Sequence, residues 1–122
     1  MKLEGLTVLD LSLFLPGPAA TQTMADHGAR IIKVENPRSP EPTRSADAFP
    51  WQQGDETVMF RNTQRGKESI ALDLKTDAGK RALLALAKTA DVVVEAFRPG
   101  VAARLGIDYA TLSKDNPGLV YC

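Results

Sequence analysis

Arg98 and Arg104 are the side chains whose type and spacing point most directly to chemistry with an anion. They fall in the stretch Ala90 to Arg104, Ala-Asp-Val-Val-Val-Glu-Ala-Phe-Arg-Pro-Gly-Val-Ala-Ala-Arg. The β-branched run Val92 to Val94 predicts a buried strand, after which Phe97 and Arg98 sit on a turn. Pro99 suits the first position of a helix, and Gly100 lets a backbone or a ligand come close. A strand ending in an aromatic, an arginine and a helix start is where open α/β sheets place anionic ligands. Lys75 follows another strand-like run, Ser69 to Leu74, so a parallel sheet would bring it to the same carboxyl-terminal rim. An arginine fork bonds phosphate bidentately, and Phe97 offers a face to a flat base. Spacing alone fits a solvated basic face equally well.

Other chemistries find less support. Asp10, Glu35, Asp73 and Glu95 fall at or near strand ends, where a carboxylate serves either as a catalytic group or, more often, as a cap or ion-pair partner. Gly17 stands alone between Pro16 and Pro18, so the G-x-G-x-x-G turn of dinucleotide-binding sheets is absent, as is a G-x-x-x-x-G-K-[ST] phosphate loop. The single histidine, His27, lies at a helix end and has no partners for a Ser-His-Asp triad. No His/Cys cluster has the spacing of a metal site, so no metal is expected. The single cysteine, Cys122, excludes an internal disulfide, fits a reducing cytoplasm and reads as a core thiol.

The elements that would position these residues alternate regularly. Leu6 to Leu11 predicts a strand, Ala19 to His27 a helix entered from Pro18 and closed by Gly28, and Arg30 to Glu35 a second strand. Together they form a βαβ unit with a right-handed crossover. Asn36 to Asp55 holds Pro37, Pro40, Pro42, Pro50 and the only tryptophan, Trp51, and reads as a long irregular segment. Thr57 to Thr63 predicts a short helix. After the Ser69 to Leu74 strand, Thr76 is placed to cap an amphipathic helix over Lys80 to Lys88. A turn of helix from Pro99, a helix over Tyr109 to Lys114 and a strand over Gly118 to Cys122 complete an α/β chain with a largely parallel sheet.

Composition narrows the function classes. The chain has 122 residues, 43% hydrophobic and 25% charged, with zero formal net charge. This suits one soluble domain, or part of one, and argues against a general nucleic-acid or membrane-surface binder. Charge is unevenly spread: Arg61 to Arg104 holds nine Lys/Arg against five Asp/Glu, enough to favour a compact polyanion locally.

Read together, these motifs resemble the amino-terminal part of the family III CoA-transferases, a family that also includes α-methylacyl-CoA racemase. The resemblance rests on Leu3-Glu-Gly-Leu-Thr-Val-Leu-Asp-Leu, Pro16-Gly-Pro and Asp26-His-Gly-Ala-Arg-Ile-Ile-Lys-Val-Glu. Further on it rests on Asn62-Thr-Gln-Arg-Gly-Lys-Glu-Ser-Ile-Ala-Leu-Asp-Leu-Lys, Ala90-Asp-Val-Val-Val-Glu-Ala-Phe-Arg-Pro-Gly, Leu105-Gly-Ile-Asp and Asn116-Pro-Gly-Leu-Val-Tyr. It implies a Rossmann-like CoA-binding domain, incomplete over residues 1–122, from a larger fold in which two chains interlock as a homodimer. By position, Leu72 and Lys75 would line the adenosine site, Phe97, Arg98, Val101 and Arg104 would hold the adenine-phosphate end, and Leu13 to Pro16 would border the pantetheine path. Asn36 stands where several members carry a phosphate-binding arginine, a role Arg38 would then take. Ala96 replaces the family's usual asparagine.

The resemblance also implies that the nucleophilic aspartate of the transferases lies beyond residue 122, as does the His/Asp pair of the racemase. The final apolar strand has no helix after it to cover its face, which likewise reads as the amino-terminal piece of something larger. The expected function is CoA transfer between an acyl-CoA and a carboxylic acid by the full-length protein, with this portion holding CoA. An acyl-CoA racemase and a non-catalytic nucleotide-binding or interaction module are the alternatives.

Overall fold

Strand alternation divides the molecule into two chemically different halves. The computed structural model describes all 122 residues, Met1–Cys122. Along β1 (Thr7–Asp10) and into the turn after it, Leu9 and Leu11 face one side of the sheet while Val8 and Asp10 face the other. After α1 (Pro16–Asp26), β2 (Arg30–Glu35) repeats the pattern, with Ile32 and Val34 on the first side and Ile31 opposite. Lys33 and Glu35 share the side of Ile31 by the same alternation.

A long connection follows, containing a 3-10 turn (Pro42–Arg44) and a two-rung hairpin of β3 (Gln52–Gln53) and β4 (Glu56–Thr57). Thr57 caps α2 (Val58–Gln64) by accepting the Phe60 N–H at 3.0 Å. Then come β5 (Glu68–Ala71), α3 (Asp77–Ala87) capped by Thr76, β6 (Val92–Val94), the short helices α4 (Val101–Leu105) and α5 (Tyr109–Leu112), and β7 (Val120–Tyr121). No helix is long and apolar enough to cross a membrane.

All pairings in the main sheet are parallel, in the order β5-β2-β1-β6-β7. This is the α/β, Rossmann-like arrangement expected from the sequence. The main core lies on the side of Leu9, Ile32, Val34 and Val93, against Leu83 and Ala87 of α3, Ile107, Leu112 and Leu119. Met24 and Ala25 of α1 cover Val8 and Ile31 on the other side. Asn116 ties α3 to β6 by donating to the carbonyls of Ala87 (2.9 Å) and Ala90 (2.7 Å).

Several boundaries differ from expectation. Helix α1 begins at Pro16, not Ala19, because prolines are tolerated in a first turn whose N–H groups have no helical acceptor anyway. Strand β5 stops at Ala71, not Leu74: its neighbour β2 ends at Glu35, whose carbonyl takes a last bond from the Leu72 N–H at 2.9 Å. Cys122 is exposed, not a core thiol. Leu119 and Tyr121 turn toward the core, so alternation sends Val120 and Cys122 the other way.

The first turn of α3 has no room for a side chain at Gly79, where a methyl would lie 2.2 Å from the Asp73 carbonyl oxygen. Gly→Ala in a helix normally stabilises by about 1 kcal/mol. Here the sign reverses: Gly79→Ala is expected to destabilise by about 1–3 kcal/mol in urea unfolding. A stabilised variant would contradict this packing.

Candidate ligand-binding cleft

The chain runs outward from β1 through β2 to β5, then crosses to β6 on the other side of β1. Such a reversal opens a crevice beyond the carboxyl ends of the strands, because the connections on the two sides diverge there. A cleft of about 250 Å³ lies at this point. Leu11 and Leu13 reach it from the turn after β1, Val34 and Asn36 from β2, Leu72 to Lys75 from β5, and Phe97, Val101 and Leu105 from the β6 side. Most of the lining is apolar.

The turn after β6 is tightly built. The Glu95 carboxylate accepts the Phe97 N–H at 2.5 Å, folding the chain back immediately beyond the strand. Gly100 adopts φ +82° just before α4, a conformation costly for a residue with a Cβ. Phe97 is half-buried and packs against the main core, while Arg98 and Arg104 stand exposed. No carboxylate pairs with Lys75, Arg98 or Arg104, although most other cations around the sheet have one.

Asp73 is the only carboxylate on the cleft wall, and its oxygens are engaged. It accepts the Lys75 N–H at 3.0 Å and bonds the Arg38 guanidinium. The Lys75 amide and then Arg38 hold Asp73 below the usual aspartate range. Arg38 itself projects outward with its side chain 76% exposed.

Of the residues singled out from the sequence, the structure brings Leu13, Leu72, Lys75, Phe97 and Val101 to one cleft. Arg38, Arg98 and Arg104 stand outside its lining, and Pro16 begins α1. The strand-end carboxylates are all committed to local bonds. Lys67, one of the cations of the basic stretch, is buried away from solvent.

Sequence reasoning missed what lies beneath the first turn. Register places Asp10 beside Lys33 on adjacent strands. Asp10 meets Lys67 Nζ at 3.1 Å, and Lys33 Nζ meets Glu41 at 3.0 Å, with all four side chains at most 2% exposed. Ser12 and Thr21 donate hydroxyls to Asp10, the Thr21 bond at 2.6 Å. Lys67 donates also to Thr21 Oγ1 (2.8 Å) and the Pro18 carbonyl (2.9 Å), and Lys33 to the Ser12 carbonyl (2.7 Å). Glu41 accepts from the backbone N–H groups of Phe14 (3.1 Å) and Thr43 (3.2 Å) and from the Thr43 hydroxyl (2.9 Å). One signal was available: a lysine inside Ile-Ile-Lys-Val, a run otherwise fit for burial, requires a buried partner.

Burial opposes ionisation of Asp10, yet the Lys33 charge, the Ser12 and Thr21 hydroxyls and Lys67 together hold its carboxyl below the ordinary range. Burial also pulls the Lys67 ammonium below its usual value despite Asp10. Glu35, beside this cluster, works against burial too. Bonds from Arg44 (2.7 Å), the Glu41 N–H (2.8 Å) and Ser69 (2.8 Å) bring it down to about 2.

Comparison with known proteins agrees with this architecture. The family model described as CoA-transferase family III matches residues 3–122. The chain is 43% identical over 118 residues to an acetyl-CoA:oxalate CoA-transferase of Acetobacter aceti, covering 97% of this chain and 30% of that one. It is 41% identical over 124 residues to a succinate–glutarate CoA-transferase of Agrobacterium fabrum, covering 98% and 31%. Among solved structures, a CAIB/BAIF family protein from Brucella suis superposes with a TM-score of 0.88 at 38% identity, over 98% of this chain and 32% of that one. The chain thus spans about 30% of the length of these relatives.

The Glu35 bonds set a pH dependence. Its carboxyl lies at about 2 in the folded protein against an ordinary 4.5, so between these values the unfolded chain binds more protons. Stability should therefore fall as pH drops from about 4.5 to about 2. Glu35→Gln should start less stable at neutral pH and lose less stability across that window in urea melts. Parallel acid limbs would show that Glu35 carries none of the dependence.

Proposed function

Since the chain belongs to CoA-transferase family III, we propose that its cleft holds the CoA moiety of an acyl-CoA thioester, which the full-length protein transfers to a free carboxylic acid. The observation that carries this reading is the cleft itself: an apolar slot at the sheet's reversal point, with unpaired cations on the turns and on α4 beside it. Leu72 and Phe97 offer apolar surface to the adenine. Lys75, Arg98 and Arg104 have no internal anion to satisfy them and suit the phosphates, with bidentate geometry open to the arginines. Arg38 could join them only by leaving Asp73.

Residues 1–122 are, on this reading, the amino-terminal part of the CoA-binding domain. They bind and orient rather than react. Asp73, held ionised by the Lys75 amide and Arg38, has both oxygens engaged and makes a poor nucleophile. The covalent carboxylate chemistry of transfer is assigned to the remainder of the full-length protein. The transferase names of the relatives favour this reading over a racemase. A homodimer in the cytoplasm belongs to the same proposal, and the single cysteine fits a reducing compartment.

Calorimetric titration of CoA into the full-length protein tests the assignment. Each charge-assisted bond is worth about 1.5–3 kcal/mol, so Arg98→Ala with Arg104→Ala should weaken binding about a hundred-fold or more. Both side chains are exposed, so folding should survive. Unchanged affinity would remove these arginines from the site.

A further inference from the structure

Phe14 is the only residue other than glycine with a positive φ, at +65°. A side chain in that conformation is held against a steric cost, and such strain persists only where neighbours enforce it. The enforcing group is visible. Glu41, reached only after 27 further residues, accepts the Phe14 N–H through Oε1. That same oxygen is fixed by the Thr43 N–H and hydroxyl, and Oε2 faces the Lys33 ammonium at 3.0 Å. A buried, charge-paired carboxylate thus clamps the backbone of an exposed turn. Glu41 spans from the long connection after β2 to the turn after β1.

The clamp decides what that turn presents. With Phe14 left-handed, Leu13 points into the cleft wall, while Phe14 and Leu15 remain 49% and 51% exposed. The turn after β5 carries Lys75, the turn after β6 carries Arg98 and α4 carries Arg104; the turn after β1 brings no cation, only this apolar surface. We propose that Glu41 is a positioning residue that locks the Leu13–Leu15 turn into the shape that receives the uncharged arm of the ligand. This rests on the CoA reading above, in which that arm is the pantetheine chain and the charged end is the nucleotide. Glu41 itself touches no ligand.

The test separates arm from nucleotide. CoA and adenosine 3′,5′-bisphosphate, which lacks the arm, are titrated into full-length wild type, Phe14→Gly, Phe14→Val and Glu41→Ala. Glycine and valine both remove the ring, but only glycine accepts a positive φ freely, and the residue is half-exposed, so both should fold. Phe14→Val should bind CoA about ten-fold more weakly than Phe14→Gly, the size expected from a forced left-handed residue. The two should bind the bisphosphate alike. Glu41→Ala should behave as Phe14→Val does, losing CoA and keeping the bisphosphate. Equal CoA affinity in the glycine and valine variants would overturn the proposal, as would equal loss of both ligands in a Glu41→Ala protein whose urea melt shows that it is folded. Wild type that binds neither ligand would overturn the CoA reading and this inference with it.

Discussion

Two lysines and two carboxylates buried under the first strand-helix turn are the constraint on which the rest of this structure depends. Lys33 and Lys67 sit against Glu41 and Asp10 almost without solvent. Removing one member would leave an uncompensated buried charge, which typically costs about 3–5 kcal/mol. The four residues come from β1, β2, the long connection and the approach to β5, so their pairing ties to the sheet a connection that contributes nothing to the apolar core. The connection between β2 and α2 would otherwise have little reason to fold back over the sheet. Glu41 supplies that reason, helped by Glu35 with Arg44 and by Arg44 resting on the Phe60 ring.

The sheet therefore does two jobs with its two faces. One face is apolar from Leu9 to Leu119 and provides most of the hydrophobic burial. The other is apolar around Val8 and Ile31 and becomes ionic at Asp10, Lys33 and Glu35 toward the carboxyl ends of β1 and β2. The cleft opens at that same end. Its floor belongs to the apolar face, but the shape of its first turn is governed by the ionic one through Glu41 and Phe14. Lys75, Arg98 and Arg104 remain free for a ligand because no carboxylate of the chain pairs with them.

Periodicity made much of this legible. Arg30–Glu35 and Val92–Val94 were delimited correctly because β-branched runs bounded by glycine, proline or charge admit little else. Thr76 and Gly28 marked helix ends by their known chemistry. The turn after β6 was recognisable from Phe97, Arg98 and Gly100 before any geometry was known. The buried network was not, since pairing of Lys67 with Asp10 crosses 57 positions and leaves no local trace. Lys67 was grouped with surface cations for that reason. The start of α1 was obscured by Pro16 and Pro18, which read as breakers unless the first-turn exception is applied. Cys122 ends an apolar strand and so reads as core, but alternation turns it away from the side that Leu119 and Tyr121 share with the core.

The central claim is that the crevice between the turns after β1, β5 and β6 holds CoA. A crystal structure of the full-length protein with CoA bound tests it most directly. The account predicts the adenine against Phe97 and Leu72, phosphates within hydrogen-bonding reach of Lys75, Arg98 or Arg104, and the pantetheine arm leaving past Leu13. CoA seated elsewhere, with those three cations still in solvent, would contradict it.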